Sequence, residues 1–118
     1  MISLTLPWPP SVNRIWRRVG NKTILSAEGR EFRKIVQDIC AINGLSGKRI
    51  SGRLSVSITA NPPDRRKRDI DNLQKAPLDA LTHAAVWEDD SQIDELLIRR
   101  DRIVSGGSIQ ITINEIAG

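Results

Sequence analysis

Asp69 and Asp71 stand one residue apart behind four consecutive cations, Arg65, Arg66, Lys67 and Arg68, and Lys75 follows four residues after Asp71, within the stretch DRRKRDIDNLQK. A second acidic cluster, Glu88, Asp89 and Asp90, lies further along the chain. Carboxylate oxygens are hard donors that suit Mg²⁺ or Mn²⁺ better than zinc. Carboxylates converging on one point repel one another unless a divalent ion sits among them, and neighbouring cations would hold a polyanion against that ion. The same residues have a plainer reading, in which Asp69 and Asp71 offset a helix dipole. Asp71 and Lys75 would then be an exposed i,i+4 pair contributing about 0.3–0.5 kcal/mol. Spacing alone leaves both readings open. An EF-hand is disfavoured, because Leu73 and Gln74 occupy positions that would need an oxygen ligand and a glycine. No Ser/His/Asp arrangement and no glycine-rich phosphate loop is present; His83 reads as a helix-surface residue, Cys40 as core and Trp87 as packing at a helix end.

The wider charge pattern favours an anionic partner. The chain of 118 residues carries a net charge of +4. Eleven of its eighteen Lys and Arg residues fall in three clusters: Arg14, Arg17, Arg18 and Lys22; Arg30, Arg33 and Lys34; and Arg65 to Arg68. The only aromatic residues are Trp8, Trp16, Phe32 and Trp87. A module that binds single strands by stacking needs more aromatic platforms, so the clusters point to phosphate contacts. Cys40 is the one cysteine, which excludes an intramolecular disulfide and fits a reducing cytoplasm. The opening MISLTLPWPP lacks the basic start and apolar run of a signal peptide, and no apolar run approaches the ~20 residues of a membrane helix. The expectation is a soluble cytoplasmic protein with no membrane partner and one domain, residues 1–118.

The elements that must position these residues show in the hydropathy pattern. Period-two alternation predicts strands at Ile2 to Leu6, Leu54 to Ala60 and Ile109 to Ile113. The run Leu96, Leu97, Ile98 reads as a strand buried on both faces, and the SGG at Ser105 to Gly107 predicts a hairpin joining it to the Ile109 strand. Ser26 is the expected N-cap of a helix whose stripe is Phe32, Ile35, Val36, Ile39 and Cys40, with Gly44 near its stop. A second helical pattern runs from about Ile70 to Ala85. Pro77 either kinks it or begins it, with Asp69 to Lys75 forming an ordered turn beforehand. On a full helix Asp69 and Asp71 would diverge, whereas at a helix entry they can converge. The predicted class is α+β: a single domain with a small mixed or antiparallel sheet of about four main strands and two helices packed on it.

Four segments, LPWPPSVNRIWRR, LSAEGREFRK, PPDRRKRDIDNLQKAPLDAL and WEDDSQI, occur in that order. Together they resemble the RusA-type Holliday junction resolvases, small endodeoxyribonucleases of bacteria and their prophages. The likeness spans essentially the whole chain, and its most specific part is D-x-D-N-L-x-K followed about twenty residues later by D-D. The resemblance implies a structure-specific endonuclease that nicks four-way junction DNA in recombination and repair. It implies Mg²⁺, with Mn²⁺ as a substitute, held by Asp69, Asp71 and Asp90, and a catalytic role for Lys75. It implies a homodimer with one site per subunit. Asn13, Arg14, Arg17, Arg65, Arg66, Lys67 and Arg68 are then the expected DNA contacts. Glu88, where relatives can carry an apolar residue, and Pro77, close behind Lys75, depart from the pattern without removing a functional group. The competing readings are a non-catalytic basic DNA-binding module, and a nuclease that prefers flaps or forks.

Overall fold

The computed structural model describes residues 1–117. Its main sheet has four strands, β1 (Ile2–Pro7), β4 (Leu54–Asn61), β5 (Ile93–Arg100) and β6 (Ser108–Glu115), in the order β1-β6-β4-β5. Between β1 and β4 come a single helical turn, α1 (Val12–Ile15), a two-stranded ribbon of β2 (Trp16–Val19) and β3 (Lys22–Leu25), and the long helix α2 (Ala27–Ile42). A 3₁₀ turn at Ile70–Leu73, the helix α3 (Lys75–His83) and a second 3₁₀ turn at Asp90–Gln92 connect β4 to β5. The predicted α+β class holds, and the sheet is mixed.

Strand alternation makes the sheet one-sided. Leu4 and Leu6, Leu54, Val56, Ile58 and Ala60, and Ile109, Ile111 and Ile113 are all buried beneath the helices, while the intervening Ser, Thr and Gln residues face outward. Phe32, Val36 and Cys40 of α2 and Ala76, Leu78, Ala80 and Leu81 of α3 complete the core. Ser26 caps α2 as predicted, its hydroxyl accepting from the Gly29 amide at 3.0 Å. Ile35 of the predicted stripe is exposed instead, lining a groove beside Trp8.

Two strand expectations are corrected. β5 and β6 do not form a hairpin: β4 lies between them, pairing antiparallel with β6 and parallel with β5. The α3 crossover gives the chain the length that a parallel pairing requires. Nor is β5 buried on both faces. It is an edge strand, and Leu97 is 59% exposed on the outer face. The SGG turn returns the chain from the edge to the centre of the sheet.

Pro77 begins the second helix rather than kinking it. It is the third residue of α3, where a backbone N–H would have no intrahelical acceptor, so its missing donor costs no hydrogen bond. The segment holding Asp69 and Asp71 is therefore an ordered turn ahead of the helix.

Candidate active site

Asp69 is extended, at the entrance to the first 3₁₀ turn, and Asp71 lies within that turn; both side chains are exposed. The turn is anchored by buried Leu73 and by the Asn72 amide, which donates to the Asp69 carbonyl at 3.2 Å. Arg100, the last residue of β5, donates from its guanidinium to the Arg68 carbonyl and ties this turn to the C-terminal end of the strand. Lys75 opens α3, and its ammonium lies 3.3 Å from Asp79. It pairs forward along the helix, whereas the plain reading of the sequence had paired it back to Asp71.

Asp90 opens the second 3₁₀ turn, at the other end of β5. Ile93 pairs with Leu54 at the start of β4, whereas Arg100 pairs with Ala60 near its end. With eight residues in β5 and a rise of about 3.3 Å per residue, the strand separates the two turns by roughly 23 Å. Among the described residues, no three acidic, histidine or cysteine side chains are gathered closely enough to hold a metal ion. The chain thus brings Asp69 and Asp71 into one turn and leaves Asp90 apart from them.

The chemistry of the donors still fits a hard cation. Neighbouring acids are already engaged: Asp64 with Arg68 and Arg66, Asp79 with Lys75, and Asp94 with Arg53. Asp89 caps the second 3₁₀ turn and accepts from the Ser91 hydroxyl, which holds its pKa below the ordinary carboxylate value. Asp69, Asp71 and Asp90 are exposed and make no ion pair among the described residues. Asp90 is therefore the better-placed donor of the D-D pair. The pair itself is held by Gln92, whose amide oxygen accepts from the Glu88 and Asp89 amides at 2.8 Å each. The nitrogen of the same side chain donates to the Ile50 and Gly52 carbonyls at 2.9 Å. The sequence reading missed Gln92, although Asp followed three residues later by Gln is a capping-box signature.

The four cations ahead of Asp69 are not equivalent. Arg68 donates to Asp64 at 2.8 Å, and its guanidinium sits 5.5 Å from the centre of the Trp8 ring. Together with the Arg66 amide, that contact lowers the Asp64 pKa to about 2. Arg65 and Lys67 are exposed and free of ion pairs among the described residues. Asn13, Arg14 and Arg17 are exposed on α1 and the ribbon. The ribbon stretch from Trp16 to Leu25 contains no acid, so Arg17, Arg18 and Lys22 make it a basic arm.

The sequence profile described as "Endodeoxyribonuclease RusA" matches residues 7–114 of this chain. The chain belongs to the RusA family. It is 41% identical to the crossover junction endodeoxyribonuclease RusA of Escherichia coli strain K12 over 114 residues, covering 97% of this chain and 94% of that relative. The same protein name and identity are found in Shigella sonnei strain Ss046. The corresponding protein of Enterobacteria phage 82 is 40% identical over 113 residues, covering 96% of this chain and 93% of its own. Asp69, Asp71, Lys75 and Asp90 all lie within the stretch that the RusA profile covers.

Proposed function

We propose that this protein is a crossover junction endodeoxyribonuclease that resolves four-way DNA junctions by paired hydrolysis of phosphodiesters. The observation that carries this reading is the near full-length likeness to proteins of that name, on a chain whose Asp69 and Asp71 carboxylates are left without ion pairs beside the free cations Arg65 and Lys67. Asp69, Asp71 and Asp90 would hold Mg²⁺, with Mn²⁺ able to replace it. Such an ion supplies polarisation of the phosphate and activation of water near neutral pH. Lys75 stabilises the charge that builds on the non-bridging oxygens. Arg65 and Lys67 bind the flanking phosphates, and Asn13, Arg14 and Arg17 extend that contact along the arm.

A two-fold homodimer would complete the site. β5 is an edge strand whose sequence runs Asp94, Glu95, Leu96, Leu97, Ile98, Arg99, Arg100. Antiparallel pairing of two copies about Leu97 would set Glu95 against the partner's Arg99 and Asp94 against the partner's Arg100. Leu96 would meet the partner's Ile98. This is the self-complementarity that an isologous interface needs, and it covers an otherwise bare apolar edge. The same pairing would carry the partner's Asp90 toward the strand end where Asp69 and Asp71 lie. Two such sites per dimer would match the two nicks that a symmetric junction requires.

The test is incubation of a four-way junction with purified protein, with and without Mg²⁺, beside a linear duplex. Symmetric nicks on the junction that depend on Mg²⁺ are expected. Tight binding with no nicking of junction, flap or fork would establish a non-catalytic module instead.

A further inference from the structure

Trp8 separates two cavities. On one side it faces Glu28 and Glu31; on the other, a cavity of about 290 Å³ lies between the PWPP loop and the first 3₁₀ turn. It is lined by Trp8, Pro9, Ser11, Lys67, Arg68, Asp69, Asn72 and Leu73. The volume is near the lower end of the ~300–1,000 Å³ range of small-molecule sites.

The lining joins the cations Lys67 and Arg68 and the acid Asp69 to two neutral polar groups, Ser11 and Asn72. Ser11 occupies the N-cap position of α1 without using its hydroxyl as a cap. Its hydroxyl and the Asn72 side-chain amide make no hydrogen bond among the described residues. Each group both donates and accepts, which suits a neutral ligand with mixed edges better than an anion. The Trp8–Arg68 stack supplies a flat wall, and guanidinium planes and aromatic rings are what unstacked bases pack against. That stack is rigidly built: Arg68 is pinned by Asp64, and a Cβ on Gly107 would come within 2.9 Å of the Trp8 Cβ.

We propose that this cavity receives an unstacked base from the nucleotide beside the scissile phosphate, with Asn72 and Ser11 reading its hydrogen-bonding edge. The assignment rests on the nuclease reading above, which puts that phosphate at Asp69. Extruding a base costs least where stacking is already broken, as at a branch point. The cavity would therefore couple cutting to branched DNA and impose a base preference at the cut.

The experiment separates this inference from the nuclease reading by working first without metal. Four-way junctions carry 2-aminopurine at one nucleotide at a time around the exchange point, and are saturated with wild-type or Asn72→Ala protein in chelator. The wild type is expected to raise fluorescence at one position and not in linear duplex, with the rise lost in Asn72→Ala at equal occupancy. With Mg²⁺, varying the base at that position should change the wild-type cleavage rate by about tenfold, the scale of one bidentate base contact. Asn72→Ala should flatten this preference, and Asn72→Asp, which replaces the amide donor by an acceptor, should reorder it. No rise at any position, or an unchanged order of preference in both variants, would overturn the assignment. A rise without cleavage would leave the base site standing and remove the nuclease reading.

Discussion

The Lys75 ammonium lies 3.3 Å from Oδ1 of Asp79, one helical turn onward, with Lys75 exposed and Asp79 partly buried. An i,i+4 pair of this kind contributes only about 0.3–0.5 kcal/mol, so it orients the lysine without locking it. Lys75→Ala should therefore leave the thermal midpoint nearly unchanged. It should lower the single-turnover cleavage rate about 10²–10³-fold, the cost of removing one donor from a developing oxyanion. Junction affinity, measured in chelator, should fall far less. A loss of affinity with an unchanged bound-state rate would make Lys75 a binding residue only.

The separation of Asp90 from Asp71 along β5 yields a complementation test. Asp71→Asn and Asp90→Asn homodimers should each be inactive. If the partner supplies Asp90, a mixed dimer of the two variants carries one site with both substitutions and one with neither. Mixing and re-equilibrating equal amounts of the two inactive proteins should then restore single nicks at about a quarter of the wild-type sites, since about half the dimers are mixed and each carries one intact site. If all three carboxylates came from one protomer, both sites of the mixed dimer would be damaged and no activity would return. A Leu97→Lys variant, placing like charges opposite each other at the centre of the proposed interface, should run as a monomer by sedimentation.

The alternation of β1, β4 and β6 was legible because a one-sided sheet writes its burial directly into the sequence. β5 was misread for two physical reasons. An edge strand has a neighbour on one side only, so a Leu-Leu-Ile run that would be covered in a central strand stays partly bare. The SGG turn also signals reversal without saying which strand the chain returns beside, and here β4 had already taken that place. At the site, the residue types suggest the chemistry proposed above, and the helix entry at Pro77 was one of two foreseen outcomes. The Trp8–Arg68 stack and the bridging by Gln92 were not legible, since each joins segments distant in sequence and is created by the fold.

Gly107 gives the stack a direct test. Its φ is +73°, and a Cβ there would meet Trp8 Cβ at 2.9 Å and Pro63 Cδ at 3.0 Å. Neither neighbour is the free end of a flexible chain. Gly107→Ala should destabilise the protein by about 1–3 kcal/mol through backbone strain and overpacking, read as a lower urea midpoint with unchanged slope. Gly106→Ala, at φ +78° but with nothing within 4 Å of its Cβ, carries strain alone and should cost less.

The Asp64–Arg68 pair predicts where pH does and does not act. The Asp64 carboxyl is held at about 2 by the Arg68 guanidinium and then by the Arg66 amide, below its ordinary value of 3.8. A depressed acid stabilises the fold above its unfolded pKa, and that contribution is lost as pH falls through the folded value. The pair should therefore be fully formed at neutral pH and dissolve only between about pH 4 and 2. Cleavage rates between pH 6 and 9 should show no inflection from Asp64, and the carboxyl resonance of Asp64 should titrate near 2 in a carbon-detected NMR series. Asp64→Asn removes the charge that pins Arg68 while keeping the side-chain shape. It should loosen the arginine over Trp8 and weaken junction binding across all sequences, and its acid unfolding should begin with a shallower pH dependence than the wild type. A wild-type Asp64 titrating at its ordinary value would show that the pair does not form in solution.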